Sequence, residues 1–292
     1  MPVVDTRQFK NLPKKNSRKS KFPIILAIIL ISAFIFLIRD NFLRPIEQDN
    51  SSNSIQDQVS VNADDNQQKT GVLKVFTGPE FKDLARAVKY PNTQLFPEPP
   101  EITGNKAADA RIRQIAESRG FVLTSIPITS IVKLNEPMLD PQADDLLQPL
   151  SAQAWNELKA AAKRDGIPIT LLSAYRSPKY QRDLFISRLF AKGTSVEKIA
   201  AGRGDAAIEA TLTMTAPPGY SRHHTGYTID LWCEDGSGAF VNSSCFRWIK
   251  ADNYKVAKQT GWIPSYPDGV SLQGPEPEPW EYVWVSKDLV TE

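Results

Sequence analysis

The run FPIILAIILISAFIFLI, Phe22 to Ile38, carries no charged residue and stops at Arg39-Asp40. Its length is at the short end of what crosses a bilayer as a helix. Ahead of it stand Arg7, Lys10, Lys14, Lys15, Arg18, Lys19 and Lys21 against one acid, Asp5. By the positive-inside rule, residues 1–21 stay cytoplasmic, 22–38 form a single-pass transmembrane signal anchor, and everything after Arg39 is exported to the periplasmic or cell-wall side. A cleaved signal peptide is the competing reading. The apolar core is long for one, however, and the following RDNFLRP offers no small-x-small cleavage site. The run thus separates pieces that fold in different media.

That division changes the meaning of the charge. The whole chain is +2, with 35 basic and 33 acidic residues, but the tail holds seven of the bases and one acid. The remainder is therefore 28 against 32, or −4, and the overall basic balance implies no nucleic-acid partner. Residues 39–70, which include NSSNSIQDQVSVNADDNQQK, are rich in Asn, Gln, Ser and Asp and read as a flexible linker. The two cysteines, Cys233 and Cys245, lie on the exported side, where a disulfide is permitted; their spacing alone leaves paired and unpaired thiols both open.

Residues 71–130 read as an N-terminal extension without a chemical role. GVLKVF predicts a short strand, PNTQLFPEPPEITG a proline-rich loop, and NKAADARIRQIAESRG a helix ended by Gly120. From Ile131 the patterning becomes denser. Ser151 is a candidate N-cap for the helix AQAWNELKAAAKRDG, and ITLLSAYRS predicts a strand entering a loop. PKYQRDLFISRLFAKG predicts a helix with Pro178 in its first turn, FRWIKADNYKVAKQTGW a further amphipathic helix, and YVWVS a last strand. Helices and strands mix without βαβ alternation, so residues 131–292 are expected to be α+β, a small antiparallel sheet flanked by helices.

Three separated pieces carry chemistry. In SAYRSPKYQ, Arg176 sits where strand meets helix, and its planar fork suits a carboxylate; an internal ion pair is the bland alternative. GYSRHHTGYTIDLW holds the chain's two histidines. Alternation puts Tyr227, Ile229 and Leu231 on one strand face and Asp230 on the other. If the chain is extended at the histidines, His223 and His224 point to opposite sides, so one metal would take only one of them. A metal site and a pair of loop histidines both fit this stretch. Gly226 points to a close backbone approach. PEPEPWEYVW places Glu278 and Glu281 just before the last strand, as ligand, general base or plain surface acids.

Taken together, these pieces resemble the zinc D-alanyl-D-alanine carboxypeptidases of the VanY type. The family pattern is S-x-Y-R-S, then S-x-H-x-x-G-x-A-x-D, then E-x-W-H. Ser173, Tyr175, Arg176 and Ser177 match the first element, and Gln181 follows where the family often has it. Ser221, His223, Gly226 and Asp230 match the second, with Thr228 for the usual alanine; Glu278 and Trp280 match the third. The resemblance implies a carboxypeptidase-like domain over residues 131–292, with His223 and Asp230 as zinc ligands and Glu278 as the base that activates water. It also implies that Arg176 holds the terminal carboxylate of a peptidoglycan stem peptide ending in D-Ala-D-Ala, with Ser221 and Gln181 on the substrate side.

The pattern breaks at its last residue, where Glu281 replaces the third-ligand histidine. Glu281 itself can ligate, giving a one-histidine, two-carboxylate site. Alternatively, two residues are deleted and Glu281 lies outside the site, or His224 swings in against the parity argument. With Asp230, Glu278 and Glu281 in one pocket, three acids would repel one another without a cation. The chain is thus expected to be an envelope peptidase or a weakened or inactive relative that binds wall peptide without cutting it, with a role confined to Gly71–Ser130 as the third possibility.

Overall fold

The computed structural model describes residues 71–140 and 143–292. The basic tail, the apolar run 22–38 and the linker to residue 70 lie outside the described residues. Among the described residues, no helix is long and apolar enough to cross a membrane.

The extension opens differently from its sequence pattern. GVLKVF makes one isolated bridge, Leu73 to Thr291, rather than a strand. Directly after it, Thr77 and Glu80 exchange side-chain and backbone hydrogen bonds in a capping box that starts α1 (Gly78–Ala87). Strand β1 (Thr93–Leu95), inside the stretch expected as loop, pairs with β2 (Ser125–Pro127). Between them α2 (Lys106–Ser118) is capped by Asn105 and ends ahead of Gly120, as its pattern predicts.

A short pair, β3 (Val132–Lys133) with β4 (Leu146–Leu147), leads into α3 (Pro149–Arg164). This helix begins before Ser151: Gln148 is the N-cap and Pro149 takes the first position, where its missing N–H costs nothing. Ser151 instead turns inward, its hydroxyl 2.8 Å from the carbonyl of Gly226 and 3.0 Å from that of Gln148. Then come β5 (Ile169–Ser173) and α4 (Pro178–Phe190), the latter capped by Ser177. Two short helices without a sequence signal follow, α5 (Val196–Ala200) and α6 (Asp205–Leu212). The chain finishes with β6 (Thr228–Cys233), α7 (Ser244–Lys258), β7 (Trp262–Pro264), β8 (Glu281–Trp284) and α8 (Lys287–Val290). Helix α7 is broken at Ala251–Tyr254, and there the Asn253 amide binds both backbone polar groups of Phe76.

The main sheet is antiparallel in the order β5-β6-β8-β7. Tyr227, Ile229 and Leu231 enter one core with Trp155 and Leu158 of α3 and Ile249 of α7, as alternation predicts. A second core joins Ile102, Ile112 and Phe121 of the extension to Phe185 and Leu189 of α4 and Ile199 and Ile208 of α5 and α6. At about 1.5–3 kcal/mol for each large apolar side chain removed from water, that shared core ties the extension to the rest of the fold. Cys233, closing β6, is disulfide-bonded to Cys245 in the first turn of α7.

Candidate metal centre and cleft

The sheet register builds the site. Across β6 and β8, Asp230 stands directly opposite Glu281, and across β5 and β6 it stands opposite Ser173. A register shift between Leu171 and Ser173 lets β5 reach that row. Like charges facing one another on neighbouring strands are destabilising. Both carboxylates are also at least nine-tenths buried, so this pair needs positive partners.

The structure supplies them on three sides. Arg176, on the loop leaving β5, donates Nη2 to Asp230 Oδ2 at 2.5 Å and Nε to Ser173 Oγ at 3.0 Å. Arg222 donates Nη1 to Glu281 Oε1 at 3.3 Å. Between the two acids sits His223, its Nε2 3.3 Å from Asp230 Oδ1 and 3.4 Å from Glu281 Oε2. Each carboxylate therefore gives one oxygen to an arginine and turns the other toward the imidazole.

His223 is oriented by its other nitrogen, whose Nδ1–H donates to the Ala174 carbonyl at 2.5 Å. That tautomer aims the Nε2 lone pair at the two oxygens. In a metal-free pocket burial and the nearby Arg176 charge oppose protonation of His223, but Asp230 and Glu281 outweigh them and raise its pKa to about 9. Burial likewise opposes ionisation of Glu281, but His223 and Arg222 prevail and hold it below the usual carboxylate range. Glu278 goes the other way: burial, then the charges of Glu281 and Asp230, push it up.

The histidines lie in a 3-10 turn, Arg222–Thr225, and not in an extended segment. Only His223 faces the site, as expected, but the turn rather than strand parity decides it. His224 is fully buried and not a loop-surface residue. Its Nδ1–H donates to the Arg176 carbonyl at 2.7 Å, and its Nε2 accepts from the Gly219 N–H at 3.1 Å. Burial lowers its pKa to about 4, which keeps it neutral for both bonds. Gly226 ends the turn at φ +74°, and a Cβ there would sit 3.2 Å from Gln148 Cγ. Hence only glycine closes the turn against the start of α3 without strain.

The three inward atoms, His223 Nε2, Asp230 Oδ1 and Glu281 Oε2, form a group suited to a metal ion. His223 Nε2 and Asp230 Oδ1 are buried without a hydrogen-bond partner, which is costly unless something fills the space between them. Zinc bonds to nitrogen and oxygen are about 2.0–2.2 Å, so a tetrahedral ion would separate its ligands by about 3.3–3.6 Å. The 3.3 and 3.4 Å separations match that spacing, and the donor set fits zinc.

Asp230 and Glu281 open onto a cleft of 840 Å³ that is also lined by Arg176, Gln181, Ser221 and Glu278. Arg176, Gln181, Ser221, Asp230, Glu278 and Glu281 thus line one cleft, and His223 lies within 3.4 Å of Asp230 and Glu281. The extension contributes Tyr90, Leu95 and Phe121 to the lining. At the end of α2, Arg119 receives the Gly274 N–H at 3.0 Å and pairs with Glu276 at 3.9 Å, holding the loop that carries Glu278. Sequence reasoning missed the roles of Arg222, His224 and Tyr266 at this site.

Residues 144–287 match the family model of VanY, D-alanyl-D-alanine carboxypeptidase. The putative carboxypeptidase YodJ of Bacillus subtilis (strain 168) is 28% identical over 142 residues, which are 47% of this chain and 45% of that protein. The chain thus spans less than half the length of that curated relative. Among solved structures, a variant of the vancomycin-resistance D,D-pentapeptidase VanY from a VanB-type cassette, in complex with Zn(II), aligns at 22% identity and TM-score 0.41 over 58% of this chain and 90% of that one. The LD-carboxypeptidase LdcB aligns at 22% identity and TM-score 0.40 over 53% of this chain and 65% of that one.

Proposed function

We propose, since residues 144–287 belong to the VanY family of D-alanyl-D-alanine carboxypeptidases, that the protein is a membrane-anchored zinc peptidase that removes the terminal D-alanine of peptidoglycan stem peptides. The observation that carries the reading is the register pair Asp230–Glu281 with His223 between them, because it supplies a third ligand where this chain lacks the histidine of the family motif. His223, Asp230 and Glu281 hold the ion. Bound zinc would act as a Lewis acid toward water and the scissile carbonyl.

The chain's own residues do the rest. Glu278, which lines the cleft with Asp230 and Glu281, takes a proton from the attacking water and delivers it to the departing D-alanine amine. Arg176 commits Nε and Nη2 to Ser173 and Asp230 and offers the remainder of its fork to the free carboxylate of the substrate. Ser221 and Gln181 line the cleft beside it. The location follows from the basic tail and the apolar run 22–38, and the Cys233–Cys245 disulfide accords with an oxidising, exported compartment.

The test is D-alanine release from a peptide ending in D-Ala-D-Ala by the full chain in detergent. Release that stops with a chelator, returns with zinc and disappears in Glu278→Gln supports the reading. Peptide binding that needs Arg176 but gives no release would show a binding protein instead.

A further inference from the structure

We propose that Arg222 is the positioning residue that lets a glutamate stand where the family pattern has a histidine. It holds one oxygen of Glu281 so that the other faces His223, and its charge offsets the charge the glutamate added. The inference rests on the metal reading above and concerns how this chain sustains it.

The first support is the parallel treatment of the two carboxylates. Asp230 binds Arg176 through Oδ2 and faces His223 through Oδ1; Glu281 binds Arg222 through Oε1 and faces His223 through Oε2. Two acids and two guanidiniums sum to zero formal charge. The Glu281–Arg222 pair therefore adds no net formal charge to the ligand set, just as a neutral imidazole in its place would add none.

The second support is that Arg222 is itself fixed. Its guanidinium lies 4.5 Å from the centroid of the Tyr266 ring, a cation–π arrangement that leaves its edge free for the carboxylate. Next to Tyr266, the Ser265 N–H donates to the Glu281 carbonyl at 3.1 Å, so one short segment holds the ring under the arginine and the backbone of the glutamate. The Arg222 side chain is 25% exposed and that of Glu281 is 5%, unlike the exposed pairs that contribute little. Arg222 also precedes His223 in the same turn, so one rigid unit presents both the imidazole and the anchor for the opposite ligand.

Two effects oppose one another. Anchoring Glu281 favours the metal, whereas a guanidinium near a dication repels it. With Glu281 present the anchor prevails; with a neutral imidazole at that position only the repulsion remains. The effect of Arg222 on metal affinity therefore depends on residue 281, which a merely structural arginine would not show.

The experiment is a double-mutant cycle on the zinc dissociation constant, measured by chelator competition on the full chain in detergent: wild type, Arg222→Gln, Glu281→His and the double variant. Arg222→Gln is expected to weaken zinc by roughly 10–100-fold, the usual effect of losing a partner that orients a ligand. In the Glu281→His background it is expected to cause no weakening. In the cobalt-loaded proteins, Arg222→Gln should alter the visible bands when Glu281 is present and leave them unchanged when histidine replaces it. Equal fold-changes in both backgrounds, or bands indifferent to Arg222 in both, would overturn the proposal. If Arg222→Gln does not fold, Arg222→Lys takes its place, with the same dependence on residue 281 expected and the same equality overturning it. A wild-type chain that binds no zinc sinks both this proposal and the metal reading; a zinc-binding chain with equal effects sinks only this one.

Discussion

Replacing His224 with phenylalanine keeps a flat ring in a fully buried slot and deletes both polar atoms. In the native fold those atoms serve the Arg176 carbonyl at 2.7 Å and the Gly219 N–H at 3.1 Å. The ring's edge-on contact with Phe96, 6.2 Å between centroids, can persist in the variant, so lost packing adds little. Two main-chain groups lose their partners, each at about 1–3 kcal/mol, for a total of about 2–6 kcal/mol. Against a typical total stability of about 5–15 kcal/mol, that is a large fraction. In a domain of this size each kcal/mol moves the thermal midpoint by about 2–4 °C, so a fall of about 4–24 °C is expected by circular dichroism. The freed carbonyl lies on the backbone of Arg176, so KM for a D-Ala-D-Ala peptide should rise in the same variant. A midpoint within about 2 °C of wild type, with KM unchanged, would mean that His224 is incidental and the reasoning wrong.

Other expectations are shorter. Glu278→Gln should reduce kcat by about 10²–10⁴-fold while leaving zinc content at the wild-type level; a comparable loss of zinc would make Glu278 a ligand and not the base. Cys245→Ser, or mild reduction, should lower stability by about 2–4 kcal/mol in chemical denaturation through loss of the cross-link between β6 and α7, and an unchanged midpoint would contradict the pairing. In the metal-free protein, His223 is raised from its ordinary value to about 9. Its contribution to stability is thus full below the unfolded-state value near 6.5 and is lost as pH rises through about 9. Melting curves of chelated wild type and His223→Gln should converge across that window, and parallel curves would refute the pairing with the two acids.

Much of the site was legible because its residues sit on strong local patterns. Alternation in YTIDLW fixed the face of Asp230, and Ser177-Pro178 marked the helix that carries Gln181. The chemistry of Glu281 was legible only as a set of options. Its partner Asp230 is 51 positions away, and the cross-strand register that joins them leaves no trace in either segment. Arg222 was passed over for the same reason, since nothing beside it announces a buried acid. The strand expected at GVLKVF yielded to a capping box that begins at the next residue, Thr77, and the helix start at Ser151 yielded to Pro149, whose fixed φ favours the earlier turn. The structural role of His224 is not legible in the sequence because it depends on main-chain groups brought in from Arg176 and Gly219.

The most direct test of the central claim is the zinc content of the full chain, purified in detergent without chelator or histidine tag, beside that of Glu281→Ala. The account predicts about one tightly held zinc per wild-type chain and marked loss of it in the variant, as expected when one of three protein ligands is removed. A folded wild-type chain with no zinc, or a variant that holds it as tightly as wild type, would contradict the assignment of Glu281 as the third ligand.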